Sequence, residues 1–253
     1  MKHRSILLAA ALLCAAVSQA SAGTPRAVVQ LFTSQGCSSC PPADRLMGRL
    51  ARDPTLVTMS LPVDYWDYLG WKDTLALHGN STLQRDYAIT RGDREVYTPQ
   101  AVINGVVHAL GSDKGAIERA VARTQSKGPL AVPVKVAVAG GKVKVHVPAA
   151  TGSHKSGEVW LFPITDRAQV KIGRGENRGR TLSYYNVVRR WVKLGDWRGQ
   201  PEDFTLPLSK LPDAKFSLQD VDHVAVLLQS GFAHRPGLVL GAATASLRAP
   251  AVQ

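Results

Sequence analysis

Apolar residues recur with two different spacings along this chain, and the change falls near residue 128. "AVVQLFTS" (Ala27 to Ser34) is a short β-prone run. "PADRLMGRLARD" then places Leu46, Met47, Leu50 and Ala51 on one face of a helix. Pro41 and Pro42 fit only a first helical turn, where N–H groups lack partners anyway, so the helix is predicted to begin at or near Cys37. "TLVTMSLPV" reads as a second strand, and Asp64 to Asp73 as an aromatic, irregular segment. Asn80 or Ser81 can cap a helix running to Ala88. "PQAVING" and "VVHALG" are short strands about Asn104-Gly105, a strong hairpin signal. Ser112 can cap a last helix, in which Ile117, Ala120 and Val121 share one face.

Beyond "SKGPLAVP" no helical spacing persists. "VPVKVAVAGGKVKVHVPA" alternates apolar and polar residues on both sides of Gly140-Gly141. "GEVWLFPIT", "TLSYYNVVRRWVKL", "DFTLPL", "HVAVLLQS" and "GLVLGAATA" continue as strands. The expected architecture is an α/β domain over residues 23–128, followed by an all-β sandwich domain over 129–253 of roughly seven or eight strands.

The first 22 residues stand apart. A basic start, an apolar stretch from Ile6 to Val17 and Ala20-Ser21-Ala22 read as a secretory signal cleaved after Ala22. The stretch is short and Ala-rich for a membrane span, and Leu13 stands before Cys14 where a lipid anchor wants a small residue. The expected location is periplasmic or secreted, with no transmembrane segment after cleavage. Removal of Lys2 and Arg4 leaves 29 basic against 19 acidic residues, or +10. Most of that excess lies after residue 128. In an exported protein it points to acidic partners of the second domain, or to the anionic envelope surface, before nucleic acid, or to solubility alone.

Cleavage also removes Cys14, so the exported chain holds only Cys37 and Cys40, in an oxidising compartment. Cys37-Ser-Ser-Cys40 is open to three readings: a redox centre, half a metal site, or a structural staple. A bridge across two residues closes too small a loop to stabilise much. Unpaired amides and the dipole at a helix start would instead favour a Cys37 thiolate, with Cys40 as the resolving thiol that closes on it. No cofactor beyond such a redox-active disulfide is expected. The seven histidines are scattered, and only folding could bring His78 or His108 near the cysteines.

Gly36 to Pro41 and Thr98 to Gly105 resemble the active-site and cis-proline motifs of the thioredoxin superfamily. More closely, "QLFTSQGCSSCPPADRL", "LPVDYWDYLGWKD", "VYTPQAVING" and "GRGENRGRTLSYYNVVRRW" resemble a bacterial secreted family of unknown function with an N-terminal thioredoxin-like domain and a C-terminal β domain. The resemblance implies a thioredoxin-like α/β fold for 23–128, a Thr98-Pro99 peptide against the cysteine pair, and catalytic roles for Cys37, Cys40 and Pro99. It supplies no substrate. One departure is clear: where thioredoxins keep a buried acid six residues before the first cysteine, this chain has Leu31. Gln30 would face the other way along a strand, which leaves Asp64 as a stand-in base if it faces the site.

Tyr65, Trp66, Tyr68 and Trp71 follow the second strand, on the rim expected to carry Cys37. Together with Thr98, Tyr65 and Trp66 could bind an apolar peptide, or the rings could close the core under a long loop. Lys171 to Trp191 is Gly- and Arg-rich but matches no phosphate loop. It reads as a long hairpin connection whose Arg174, Arg178 and Arg180 could meet an acidic partner or carboxylates of the first domain. Three functions compete. The first is a thiol–disulfide oxidoreductase acting on thiol- or disulfide-containing envelope proteins with a redox partner. The second is a copper or zinc metallochaperone-like module, and the third a non-catalytic interaction protein. The first is favoured, because an exported C-x-x-C before a helix with a matching Thr-Pro is foremost a redox arrangement.

Overall fold

A computed structural model describes residues 24–232 and 234–248. The expected signal segment lies outside the described residues. The first half runs β1 (Ala27–Thr33), α1 (Pro41–Leu50), β2 (Leu56–Pro62), α2 (His78–Arg91), β3 (Gln100–Ile103), β4 (Val107–Leu110) and α3 (Lys114–Gln125). The second contributes β5 (Lys135–Ala139), β6 (Lys142–Val147), β7 (Gly157–Lys171), β8 (Thr181–Val188), β9 (Val192–Trp197), β10 (Glu202–Pro207), β11 (His223–Gln229) and β12 (Val239–Ser246).

The expected fold class, an α/β thioredoxin-like domain followed by an all-β sandwich, is corrected here. One mixed sheet of nine strands runs through both halves in the order β12-β11-β7-β8-β2-β1-β3-β4, with β9 also paired to β7. β5, β6 and β10 form a second, three-stranded sheet. The join is β2 to β8, parallel at Ser60 and Val187. Ser60 Oγ donates to the Tyr185 carbonyl at 2.6 Å, and Asn186 Nδ2 donates to Thr58 Oγ1 at 2.7 Å. An unpaired β2 edge would present a row of bare N–H and C=O groups, and β8 covers it.

Alternation along β1 divides the interior. Val28 and Phe32 join Leu83 and Tyr87 of α2 on one face, in a core completed by Phe162, Ile164, Val188, Ala225 and Leu227 from the second half. Val29 and Leu31 face the other way, against Leu46, Met47 and Leu50 of α1 and Ile117, Ala120 and Val121 of α3. A third core lies under the small sheet, where Val143, Val145 and Val147 meet Val159, Leu161, Trp197, Val224 and Val226.

Asn104 (φ 50°) and Gly105 (φ 78°) make the expected hairpin turn. The Asn104 side chain does more: its Oδ1 accepts from the Val28 amide at 2.7 Å and its Nδ2 donates to Thr124 at 2.8 Å, which ties β1, the turn and α3 together. Helix starts differ from expectation. Asp113, one residue after Ser112, caps α3 by accepting from the Ala116 amide. α2 begins at His78, so Asn80 and Ser81 sit inside it. Both are buried and serve tertiary contacts: Asn80 donates to the Pro62 carbonyl and accepts from the Trp191 indole, and Ser81 donates to Asp64. Among the described residues no helix is long and apolar enough to cross a membrane.

Candidate functional site

The chain leaves β1 at Thr33 and tightens at once. The Cys37 amide donates to the Ser34 carbonyl and the Cys40 amide to the Cys37 carbonyl, so Ser34 to Cys40 forms two successive turns. Cys37 and Cys40 are joined by a disulfide with an S–S distance of 2.07 Å. α1 starts only at Pro41, with Cys40 at its cap. The prediction that the helix begins near Cys37 fails for a specific reason. Pro41 and Pro42 have no N–H, and the Ala43 and Asp44 amides both donate to the Cys40 carbonyl, so the helix start offers the sulfurs no spare amides. The Ser39 hydroxyl lies 3.4 Å from the Cys37 sulfur.

Both sulfurs lie inside: Cys37 is 1% exposed and Cys40 0%, while Ser38 and Ser39 face solvent. Cover comes from the loop between β7 and β8, residues 172–180. Asn177 donates through Nδ2 to the Cys37 carbonyl at 2.9 Å and to the Gln35 carbonyl at 3.0 Å. Its Oδ1 accepts from Arg180 Nη1 at 2.8 Å. Glu176 accepts from the Ser38 amide at 3.3 Å. Sequence reasoning missed Asn177 and Glu176, since a lone Asn in a Gly- and Arg-rich loop carries no local signal. Arg180 therefore orients Asn177. Arg174, Arg178 and Arg180 make no ion pair with any carboxylate among the described residues.

The aromatic segment divides its labour. The Trp71 indole donates to Gln35 Oε1 at 2.8 Å, and its ring packs so closely on Gly173 that a Cβ there would sit 2.8 Å away. Trp66 lies over Gly36, where a Cβ would come within 2.9 Å of the Trp66 Cβ, so only glycine lets the turn approach. The Trp66 indole donates to Thr98 Oγ1 at 2.8 Å. Tyr65 donates to Gln84 at 3.0 Å, and Tyr68, largely exposed, stacks on Trp66.

The Thr98–Pro99 peptide is cis. Phe32 pairs with Gln100 in the antiparallel β1–β3 ladder, and the register leads from there towards Pro99 and Thr98 on one strand and Thr33 and Ser34 on the other. Cys37, Cys40, Trp66, Thr98 and Pro99 thus belong to one rim. Tyr65 and Trp66 are both half-buried and pack on the core beside α2, and Tyr65 bonds there to Gln84.

Asp64, considered as a base, is spent elsewhere. Its carboxylate takes Ser81 Oγ and, at 2.8 Å, His78. Burial opposes its ionisation, but these hydrogen bonds outweigh that and hold its pKa below the usual value. His108 is engaged with Tyr97 and Asp93. Among the described residues no three His, Cys, Asp and Glu side chains come together as metal ligands.

A buried acid follows the cysteines all the same, on the other side of them in sequence from Leu31. Asp44 stands one helical turn after Cys40. One carboxyl oxygen accepts from Thr33 Oγ1 at 2.7 Å, and the other has no partner. Burial, with the nearby Asp73 charge adding to it, pushes its pKa up to about 8. Asp73 accepts from the Gln35 amide, and burial pushes it up to about 6. The Tyr184 hydroxyl, also buried and unpartnered, is raised by burial and then by the charges of Asp44 and Asp73. The C-x-x-x-D spacing was available in the sequence, but a first-turn acid ordinarily faces solvent and serves the helix dipole.

Residues 28–229 match the family described as "Protein of unknown function (DUF1223)". The chain belongs to the DUF1223 family. A crystal structure of the Agrobacterium tumefaciens protein AGR_C_4864 is similar at 34% identity and a TM-score of 0.73, covering 87% of this chain and 94% of that one. HBP35 of Porphyromonas gingivalis shares the fold at a TM-score of 0.58 and 11% identity, over 91% of this chain and 78% of that one. No curated protein matches. The family match includes the cysteine turn, Asp44, the aromatic segment, Thr98-Pro99 and the Asn177 loop of this DUF1223 chain.

Proposed function

We propose that this chain is an exported thiol–disulfide oxidoreductase that exchanges electrons with protein thiols through Cys37 and Cys40. The observation that carries the reading is a bonded cysteine pair at the start of α1 with a buried carboxyl, one oxygen of it unpartnered, one helical turn further on. The motif resemblance of residues 36–41 and 98–105 to the thioredoxin superfamily supports it. So does the convergence of Trp66 and Thr98 beside the turn.

In the oxidising direction, a substrate thiolate attacks the Cys37 sulfur. The Cys37–Cys40 bond breaks, a substrate–Cys37 disulfide forms, and Cys40 leaves as a thiolate. Asp44, carrying its proton below pH 8, can protonate that thiolate, whose ordinary pKa is about 8.5. A second substrate thiolate then attacks the substrate sulfur of the mixed disulfide. The substrate leaves with a disulfide, and Cys37 is released as a thiolate to which the Ser39 hydroxyl can donate. Because both cysteines are buried, attack requires residues 172–180 to lift from the turn, which breaks the Asn177 bonds.

Trapping tests the reading. Cys40→Ser should retain protein partners from an envelope extract through a bond that dithiothreitol cleaves, and Cys37→Ser should retain none. Wild-type protein should also turn over insulin or a scrambled disulfide substrate. No turnover together with no adduct would overturn the proposal.

A further inference from the structure

Away from the cysteines, α2 and the β7–β11 part of the large sheet enclose a cavity of about 360 Å³, within the usual size range of small-ligand sites. We propose that it binds a small organic cation with a flat aromatic body, of the arylalkylamine type. This goes beyond the thiol chemistry and does not depend on it.

One wall is aromatic. Trp191 meets Trp160 at 6.1 Å and Phe162 at 5.9 Å, both edge-to-face, which forms an angled apolar wall where a ligand ring can pack. The floor is polar and buried. Tyr87 donates to Gln30 Oε1 at 2.8 Å, while Gln229 Nε2 donates to Tyr87 and to the Gly237 carbonyl, each at 2.9 Å. That chain fixes the orientation of both amides, using Gln30 Oε1 and Gln229 Nε2, and among the described residues nothing bonds to Gln30 Nε2 or Gln229 Oε1. Gln30 is 1% exposed and Gln229 8%, and both line the cavity. A ligand with a polar end can bond to these amide groups.

Charge selects the cation. In a chain of net charge +12, the ionisable residues lining this cavity are, among the described residues, Asp86, Glu158 and His234, with no Lys or Arg. Glu158 already pairs with Lys193 at 2.5 Å. Asp86 is held by His234 at 3.0 Å, and that imidazole is largely exposed on the rim. An ammonium group can displace His234 from Asp86 while the aromatic wall holds the ring, an arrangement that also favours cations over ring faces.

The test titrates the full chain with 2-phenylethylamine, neutral 2-phenylethanol and anionic 3-phenylpropanoate, by calorimetry and tryptophan fluorescence. The amine should bind at least about tenfold more tightly than the alcohol, and the acid should not bind. Asp86→Asn should reduce the amine to the level of the alcohol. Gly79→Leu, at a lining position where a Cβ meets no atom within 4 Å, should weaken both ligands without unfolding the helix. The Cys37→Ser variant should bind like wild type, which keeps this result separate from the redox reading. Equal affinity for amine and alcohol, no heat at millimolar amine, or an Asp86→Asn variant that binds the amine like wild type would each overturn the proposal.

Discussion

Asn177 Nδ2 donates to the carbonyl of Cys37 across 140 residues of sequence, at 2.9 Å. The same amide group holds Gln35, so one side chain from the second half of the chain fastens the turn that carries the cysteines.

Asn177→Ala should therefore cost roughly 1–3 kcal/mol, because it leaves two buried carbonyls without their donor. It should also speed reduction of the Cys37–Cys40 bond by dithiothreitol. A urea midpoint and a reduction rate, both against wild type, check this. Arg180→Ala, which removes only the group that orients Asn177, should show the same changes to a smaller degree.

Asp44 makes stability fall as pH rises. Its carboxyl titrates near pH 8 in the folded chain against an ordinary 3.8, so between those values the folded state keeps a proton that the unfolded state has released. The contribution is fully present below the ordinary value and is lost as pH climbs through 8. Asp44→Asn should therefore gain on wild type by up to about 1.4 kcal/mol per pH unit across that window. Urea unfolding at a series of pH values from acid to mildly alkaline reads the difference, and parallel curves for the two proteins would refute it.

Gly36→Ala should destabilise by about 1–3 kcal/mol, since the new methyl would sit 2.9 Å from the Trp66 Cβ and 3.3 Å from its carbonyl oxygen. Backbone must move to admit it. A drop in the melting temperature with the disulfide still formed is the expected signature.

A chain that stops at residue 128 should not fold cooperatively. It loses β8, which covers the β2 edge, and the side chains of Phe162, Ile164, Val188, Ala225 and Leu227 from the shared core. The larger of these contribute roughly 1.5–3 kcal/mol each by burial, which together rivals the whole stability of a typical domain. A sharp thermal transition by circular dichroism at the wild-type temperature would contradict this.

Local pattern made much of the chain legible. The apolar run at Ala27, the helical face of Leu46, Met47 and Leu50, and the Asn104-Gly105 turn each occur where their spacing or dihedral preference requires. The helix caps were less legible: Asn80 and Ser81 have the chemistry of caps, yet in the fold they bond to Pro62, Trp191 and Asp64. Seen alone, a short polar side chain does not reveal whether its partner is the nearest amide or a distant one.

By itself, the sequence determined most of the elements and put two cysteines between a strand and a helix, because periodicity and turn chemistry act over a few residues, though it set the helix start near Cys37 where the fold has Pro41. Tertiary structure decided which strand edges meet, and so joined β2 to β8 in one sheet in place of two separate layers. It also decided which polar groups are buried together: Asn177 over Cys37, and Asp44 against Thr33 with one oxygen bare. Edge pairing and burial depend on residues well separated in the chain, more than a hundred positions for Ser60 with Val187 and Asn177 with Cys37, and no local pattern carries that information.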